Sequence, residues 1–448
     1  MNLSKNNIIT KLLLASAIAF TTPALQAQEI LSLKKCIETG LENNYSIRIS
    51  RNEQKVAENN MTPGNAGILP TVDLNAGYSG TLNNTQQFPS DGSAVVNNSN
   101  LYNSTLQAGI NLNWTVFDGF KMFVTYDKLR EMNQMGELRT RLNVENFIAG
   151  ISAEYFNYVQ QQIRLNNLKS AVRLSKERLR IVEARYNIGS MSRLDLQQAR
   201  VDFNADSSRL IRQQEVVFSS SVKLNTLMAV PEVDKKVIVA DSTILFNALL
   251  SKDELWASTV SSNVFLQLAE KEKMLSLLDL KASQSKNYPY VRLNAGYNYT
   301  QNNYEIATYT RQDNLGPNFG VTLGFNIFDG MNRVREQRNS RIQTENKQLA
   351  MDELQLSLKS DFANLWMAYR NNMELTALER ENLFNAKENY DIAIDRYKLG
   401  DLSGIELREA QNSLLEAEER LVQAEYNTKL CEISLLQISA NMNEFVRQ

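Results

Sequence analysis

One stretch of this chain occurs twice, and a duplication constrains architecture before any single element is assigned. Leu69–Asn84 (LPTVDLNAGYSGTLNN) returns 219 residues later as Tyr288–Asn303 (YPYVRLNAGYNYTQNN), identical at 10 of 16 positions. Phe117-Asp118-Gly119 returns as Phe328-Asp329-Gly330, and Arg185–Ala199 (RYNIGSMSRLDLQQA) as Arg396–Ala410 (RYKLGDLSGIELREA), both 211 residues on. The eight-residue difference lies in the loop between the two strands of each half. Each half reads as helix, strand, loop, strand, long helix, turn, helix. The expected organisation is a first repeat over 28–230, an equatorial linker over 231–251 and a second repeat over 252–448.

Residues 1–27 read as a signal peptide: Lys5 and Lys11, an apolar run from Leu12 to Phe20, then small residues to Ala27. The chain carries a formal charge of −2, and cleavage there leaves −4. A mildly acidic chain offers no electrostatic footprint for nucleic acid. The sequence has no histidine, which removes His-based triads, imidazole bases and His metal ligands. No Walker-type loop and no paired-cysteine metal spacing is present, so neither catalytic residues, nor a metal site, nor a cofactor is expected. Cys36 and Cys431, each on an apolar helix face, read as two buried free thiols, a disulfide between them being the alternative that export allows.

Prolines occur only at 23, 63, 70, 89, 231, 289 and 317, which leaves 90–230 and 318–448 free of the strongest helix breaker. Two long helical hairpins fit those gaps. Leu165, Leu168, Val172, Leu179, Val182 and Tyr186 keep a 3,4 spacing interrupted at Ser175, and Leu407, Ala410, Leu414, Ala417, Leu421 and Ala424 keep it throughout, as coiled-coil packing requires. A helix over 121–188 would be about 100 Å long at 1.5 Å per residue. The shorter helices predicted over 192–228 and 252–286 match it when stacked end to end. The same holds for 333–399 against 403–442 plus 31–62. The intervening 229–251, with Pro231 and Val237-Ile238-Val239, reads as a belt around the middle of the helical part.

Four segments alternate strictly between apolar and polar residues. Val72, Leu74 and Tyr78; Leu106, Ile110, Leu112 and Trp114; Val291, Leu293 and Tyr297; and Val321, Leu323 and Phe325 would each point to one side. Runs of about 9–11 residues suit a tilted strand crossing a bilayer. A soluble antiparallel sheet with one buried face alternates in the same way. The signal peptide, the Tyr and Trp positions near strand ends and the Asn/Ser-rich loops over 79–105 and 300–317 favour lipid. Four strands cannot close a barrel, and open edges cannot sit in lipid. Three chains would supply twelve strands.

These residues resemble the outer membrane efflux protein family, the TolC-like outer membrane factors, over nearly the whole mature chain. Leu33–Ile47 looks like the family's opening helix, Leu69-Pro70 and Tyr288-Pro289 like its strand entries, and the two Phe-Asp-Gly sites like its strand-to-helix joints. The most specific match is the doubled turn Tyr186, Gly189, Ser192 and Tyr397, Gly400, Ser403. The resemblance implies a mainly α fold with a small β part: a trimeric 12-stranded transmembrane barrel, four strands per protomer, continued by a periplasmic α-helical coiled-coil barrel.

The same resemblance implies a passive exit duct of a tripartite efflux or type I secretion system. It would be a homotrimer in outer membrane lipid, docking through both tip turns to a periplasmic adaptor and served by an inner-membrane pump. Glu406 and Glu409 stand where the best-known members ring the closed pore with acids; Glu in a first helical turn is also favoured by the dipole. Leu402 replaces a basic latch residue of the type member. In the first repeat Asp195 and Gln198 hold the equivalent sites. The alternative from another class is a periplasmic coiled-coil scaffold whose strands form a soluble sheet.

Overall fold

The computed structural model describes residues 30–306 and 309–442. The signal-peptide reading falls outside them. The elements run β1 (Ile30–Leu31), α1 (Leu33–Asn43), α2 (Tyr45–Asn60), β2 (Thr71–Gln87), β3 (Val96–Phe117), α3 (Lys121–Asn187), α4 (Arg193–Leu227), β4 (Ile238–Val239), α5 (Lys252–Ser262), α6 (Val264–Gln284), β5 (Tyr290–Asn303), β6 (Arg311–Gly324), α7 (Asn332–Leu399) and α8 (Gly404–Ile438). Among the described residues, no helix is long and apolar enough to cross a membrane.

The long helices lie where the proline-free gaps place them. The helices expected over 31–62 and 252–286 are each broken once, at Asn44 and Asn263, positions 219 residues apart. Both asparagines leave the helical region with near-identical angles, φ −60° and ψ 125° for Asn44, φ −61° and ψ 125° for Asn263. The helix expected over 403–442 ends at Ile438.

The strands are longer than the alternation predicts. β2 and β3 have 17 and 22 residues, so much of the segment read as a loop over 79–105 is paired ladder, Ser79 opposite Thr105 and Leu82 opposite Tyr102. Polar Asn, Ser and Thr keep a hairpin ladder as well as apolar residues do when backbone bonds carry it. Pro317 lies inside β6, opposite Tyr297, on the strand that bounds the sheet within one chain. Phe325 and Ile327 fall beyond the end of β6.

Two compact units are distinguished. One comprises the described part of Met1–Asn44 with Gly150–Ala248 and Arg370–Glu432; the other Tyr45–Ala149, Leu249–Tyr369 and the described part of Ile433–Gln448.

In the first unit β1 pairs in parallel with β4, joining the chain's start to the segment read as a belt. The hydroxyl of Tyr158 donates to the Val237 carbonyl at 2.7 Å and that of Tyr155 to Asp241 at 2.6 Å, which straps 237–241 onto α3. Both cysteines are free; Cys36 is fully buried, which pushes its thiol up to about 12, whereas Cys431 is half-buried rather than buried.

In the second unit the sheet order is β2-β3-β5-β6, all antiparallel. Each strand pair leads into a helix through an Asp-Gly joint. Asp118 accepts from the Met122 N–H at 3.0 Å and Asp329 from the Arg333 N–H at 2.9 Å, so each capping carboxylate holds the first turn of α3 or α7. A Cβ on Gly119 would meet the Ser285 carbonyl at 2.2 Å.

Candidate functional site: the sheet face and the helical tips

In the second unit, antiparallel register puts directly paired residues on one face. Leu74, Ile110, Tyr297 and Pro317 form one row across all four strands, and Val72, Leu112, Ala295 and Phe319 the next. Trp114, Leu293 and Val321 follow, then Val291 with Leu323; Tyr78 pairs with Leu106 at the other end. Twelve of the thirteen residues named from alternation thus lie within the strands on one continuous apolar face, and Phe325 does not.

The opposite face carries Asp73, Asn111, Gly296 and Asn318 in one row. There Asn298 donates to Asn111 at 3.2 Å and to Asn318 at 2.6 Å. A water-soluble sheet would bury the apolar side; here Leu74 is 78% and Phe319 87% exposed.

In the first unit the two tip turns are built alike. The N–H of Gly189 bonds the Tyr186 carbonyl and that of Ser190 the Arg185 carbonyl, both at 2.9 Å; Gly400 and Asp401 repeat this onto Tyr397 and Arg396 at 3.1 and 3.0 Å. This paired pattern needs a left-handed residue, supplied by Gly189 at φ 81° and Gly400 at φ 89°. Each following helix then starts on a capping box, Ser192 with Asp195 and Ser403 with Glu406.

Identical turns nevertheless sit in different surroundings. Tyr397 is fully buried in a cluster with Val182, Leu196, Ala199, Tyr390, Leu407 and Ala410, and its hydroxyl has no hydrogen-bond partner, while Tyr186 is partly exposed. Arg185 lies 5.3 Å from the Tyr397 ring centroid and donates to the carbonyls of Tyr397 and Lys398 at 3.2 and 2.9 Å. Leu402 packs on the same cluster.

Glu406 is exposed and engaged: its carboxylate accepts from the Ser403 N–H at 2.9 Å, and the bonds from Ser403 hold its pKa below the ordinary carboxylate value. Glu409 lies exposed in the next turn of α8. Sequence reasoning missed the ion pairs within and between the two hairpins. Arg408 of α8 grips Asp206 of α4 with two bonds of 2.6 and 2.9 Å, Asp206 being 1% exposed, and Arg178 of α3 pairs with Asp202 while reaching the Gly404 carbonyl at 3.5 Å. The signal was present: Asp202 and Asp206 continue the spacing of the buried Leu196 and Ala199, where a soluble helix surface would not be expected.

A sequence model of the outer membrane efflux protein family matches residues 36–230 and 258–441. The chain belongs to the outer membrane efflux protein family. As a member it is an efflux channel of the outer membrane, and nothing in its relatives supports the scaffold alternative. The outer membrane efflux protein BepC of Brucella suis is 22% identical over 438 residues, covering 96% of this chain and 91% of that one. The outer membrane protein TolC of Vibrio cholerae is 21% identical over 454 residues, covering 97% and 95%. The Campylobacter jejuni CmeC outer membrane channel superposes with a TM-score of 0.76 at 15% identity, covering 93% and 88%. The fold of this efflux protein is therefore TolC-like, mainly α with a smaller sheet part.

Proposed function

We propose that three copies of this chain share one 12-stranded barrel and form a passive exit duct without catalysis of its own. The observation that carries this is the sheet itself. It has one apolar face across four strands and two open edges, β2 and β6. In hydrocarbon an unpaired strand edge leaves several kcal/mol per group unsatisfied, so β6 of one copy pairs with β2 of the next.

In this reading 28–230 and 252–448 are duplicated halves with 231–251 strapped between them, and the apolar rows from Val72 to Leu323 face lipid. The turns at Tyr186–Ser192 and Tyr397–Ser403 are the periplasmic ends that meet an adaptor and, through it, an inner-membrane pump. Glu406 and Glu409, exposed on successive turns of α8, line the closed constriction, and opening parts the α7–α8 hairpin from α3–α4. Glu406 also caps its own helix, so it carries both roles.

Extraction and gel migration test the assembly. The account expects release from membranes only by detergent and a band that shifts from three-chain to one-chain mass on boiling. Release by alkaline carbonate as a monomer would contradict it.

A further inference from the structure

The duplication allows the edges of the second unit to be compared with its interior. There α2 lies on α3, where Ser50 donates to Thr140 at 3.3 Å; α6 lies on α7, where Lys347 donates to Glu272 at 2.8 Å. Between these pairs runs the seam of α3 against α6, which joins the first half to the second. That seam is ionic. Lys271 donates to Glu131 at 2.8 Å and also to Gln134, and Lys128 pairs with Asp279. Arg141 holds Glu145 at 2.8 Å and reaches the Ser262 carbonyl at 3.4 Å.

The same seam, moved forward by 211 residues on the α3 side and back by 219 on the α6 side, maps onto α7 and α2. There its charges are replaced, apart from Arg141, which corresponds to the charged Asp352. Glu131 corresponds to Ile342, Glu145 to Leu356, Lys271 to Asn52 and Asp279 to Asn60. Ile342, Leu349 and Leu356 recur every seven residues, two turns of helix, and so make a single stripe; Ile49 and Val56 do the same on α2. All five are more than half exposed, and Tyr45, 70% exposed, corresponds to Val264 at 1%.

We infer that these two stripes are the two sides of one head-to-tail joint, so that α7 of one copy of this chain packs its Ile342–Leu349–Leu356 stripe against Ile49 and Val56 of the next. The inference rests on the three-copy reading above and goes further by assigning the joint's residues and its chemistry. A head-to-tail joint uses two different patches and closes into a ring when the rotation allows. The repeat supplies the geometry of the occupant: what α6 is to α3 inside one chain, α2 of the neighbour is to α7. Leu349, Ile49 and Val56 match Leu138, Leu268 and Leu275 of the seam within the chain, so the difference lies at Ile342 and Leu356; it also stops a chain from closing on itself in the wrong register, because Ile342 offers nothing to Lys271.

The experiment uses the full-length chain in membranes. Asn52→Cys with Ile342→Cys is treated with a short bismaleimide, each single variant serving as control with Cys36 and Cys431 in place. Covalent dimers and trimers are expected from the double variant alone. In parallel, Ile342→Glu is expected to lower the trimer-to-monomer ratio about tenfold, and adding Asn52→Lys to restore it by rebuilding between chains the pair that Lys271 and Glu131 make within one. Absence of cross-linking in a protein whose native mass is that of three chains would overturn the joint, leaving α7 free for an adaptor helix, and so would an Ile342→Glu protein that stays trimeric. If Ile342→Glu does not accumulate, the cross-link alone decides. A monomeric wild type in the same gels would instead sink the shared-barrel reading.

Discussion

The side-chain amide of Asn263 donates to the carbonyl of Ile438, the last residue of α8, at 2.8 Å. Asn44 does the same to Leu227, the last residue of α4, at 3.0 Å. Each asparagine interrupts one helix and satisfies a carbonyl that the end of another leaves open. Asn263 also caps α6 through its side-chain oxygen, 2.9 Å from the Phe265 N–H. Asn263→Ala should therefore lower stability by about 2 kcal/mol, the cap and the carbonyl bond together. Asn263→Asp keeps the cap and loses the donor, so its urea midpoint should fall between wild type and Asn263→Ala.

The same helix ends contain a local strain. Ala229 and Ala440 sit at φ 53° and 57°, in the left-handed position that closes each paired turn, Val230 onto Asn225 at 3.1 Å and Asn441 onto Leu436 at 2.8 Å. A side chain there costs about 1–2 kcal/mol. Glycine removes that cost and adds about 0.4–1 kcal/mol of unfolded-chain entropy. Ala229→Gly and Ala440→Gly should each raise stability by roughly 0.5 kcal/mol, read as a higher urea midpoint.

The two faces of the sheet should tolerate charge differently. Phe319→Arg places a guanidinium on the apolar rows, where arginine near the bilayer midplane costs about 2–4 kcal/mol. Asn318→Arg places it on the face that carries Asp73 and Asn298. Fractionation of cells should find the first variant depleted from the outer membrane and the second retained there.

Much of this was readable from residues alone, for identifiable reasons. Proline-free runs and 3,4 spacing give α3 and α7 to within a residue because long helices average over local preference. The breaks at Asn44 and Asn263 escape that logic, since asparagine within a helical pattern signals a stop only once its distant partner is known. The polar upper parts of β2 and β3 have no alternation to read, and their pairing follows from the ladder below them. At the tips the turn is legible and its surroundings are not: Tyr186 and Tyr397 share a motif, yet only Tyr397 is enclosed, by residues from both hairpins.

Glu406 gives a pH dependence of definite sign. Its pKa is depressed in the fold by the bonds from Ser403, so its contribution is present above the unfolded value and is lost as pH falls through the depressed one. Glu406→Gln keeps an acceptor for the Ser403 N–H and removes the charge; Glu406→Ala removes both. Hydrogen exchange of a peptide spanning the start of α8 should quicken on acidification in wild type relative to Glu406→Gln, and should be fast at all pH in Glu406→Ala. Cation selectivity should fall in both.

The most direct test of the channel is single-channel conductance in a planar bilayer, comparing wild type with Arg408→Ala. Asp206 is all but buried and held by both arms of Arg408; stripped of that partner it keeps only the longer pair to Arg209 at 3.8 Å, a loss of up to about 3–5 kcal/mol that parting the hairpins and admitting water relieves. The account predicts discrete insertions of small conductance from wild type and markedly larger ones from the variant. Preparations of both proteins that never insert, or give no unitary steps, would contradict it.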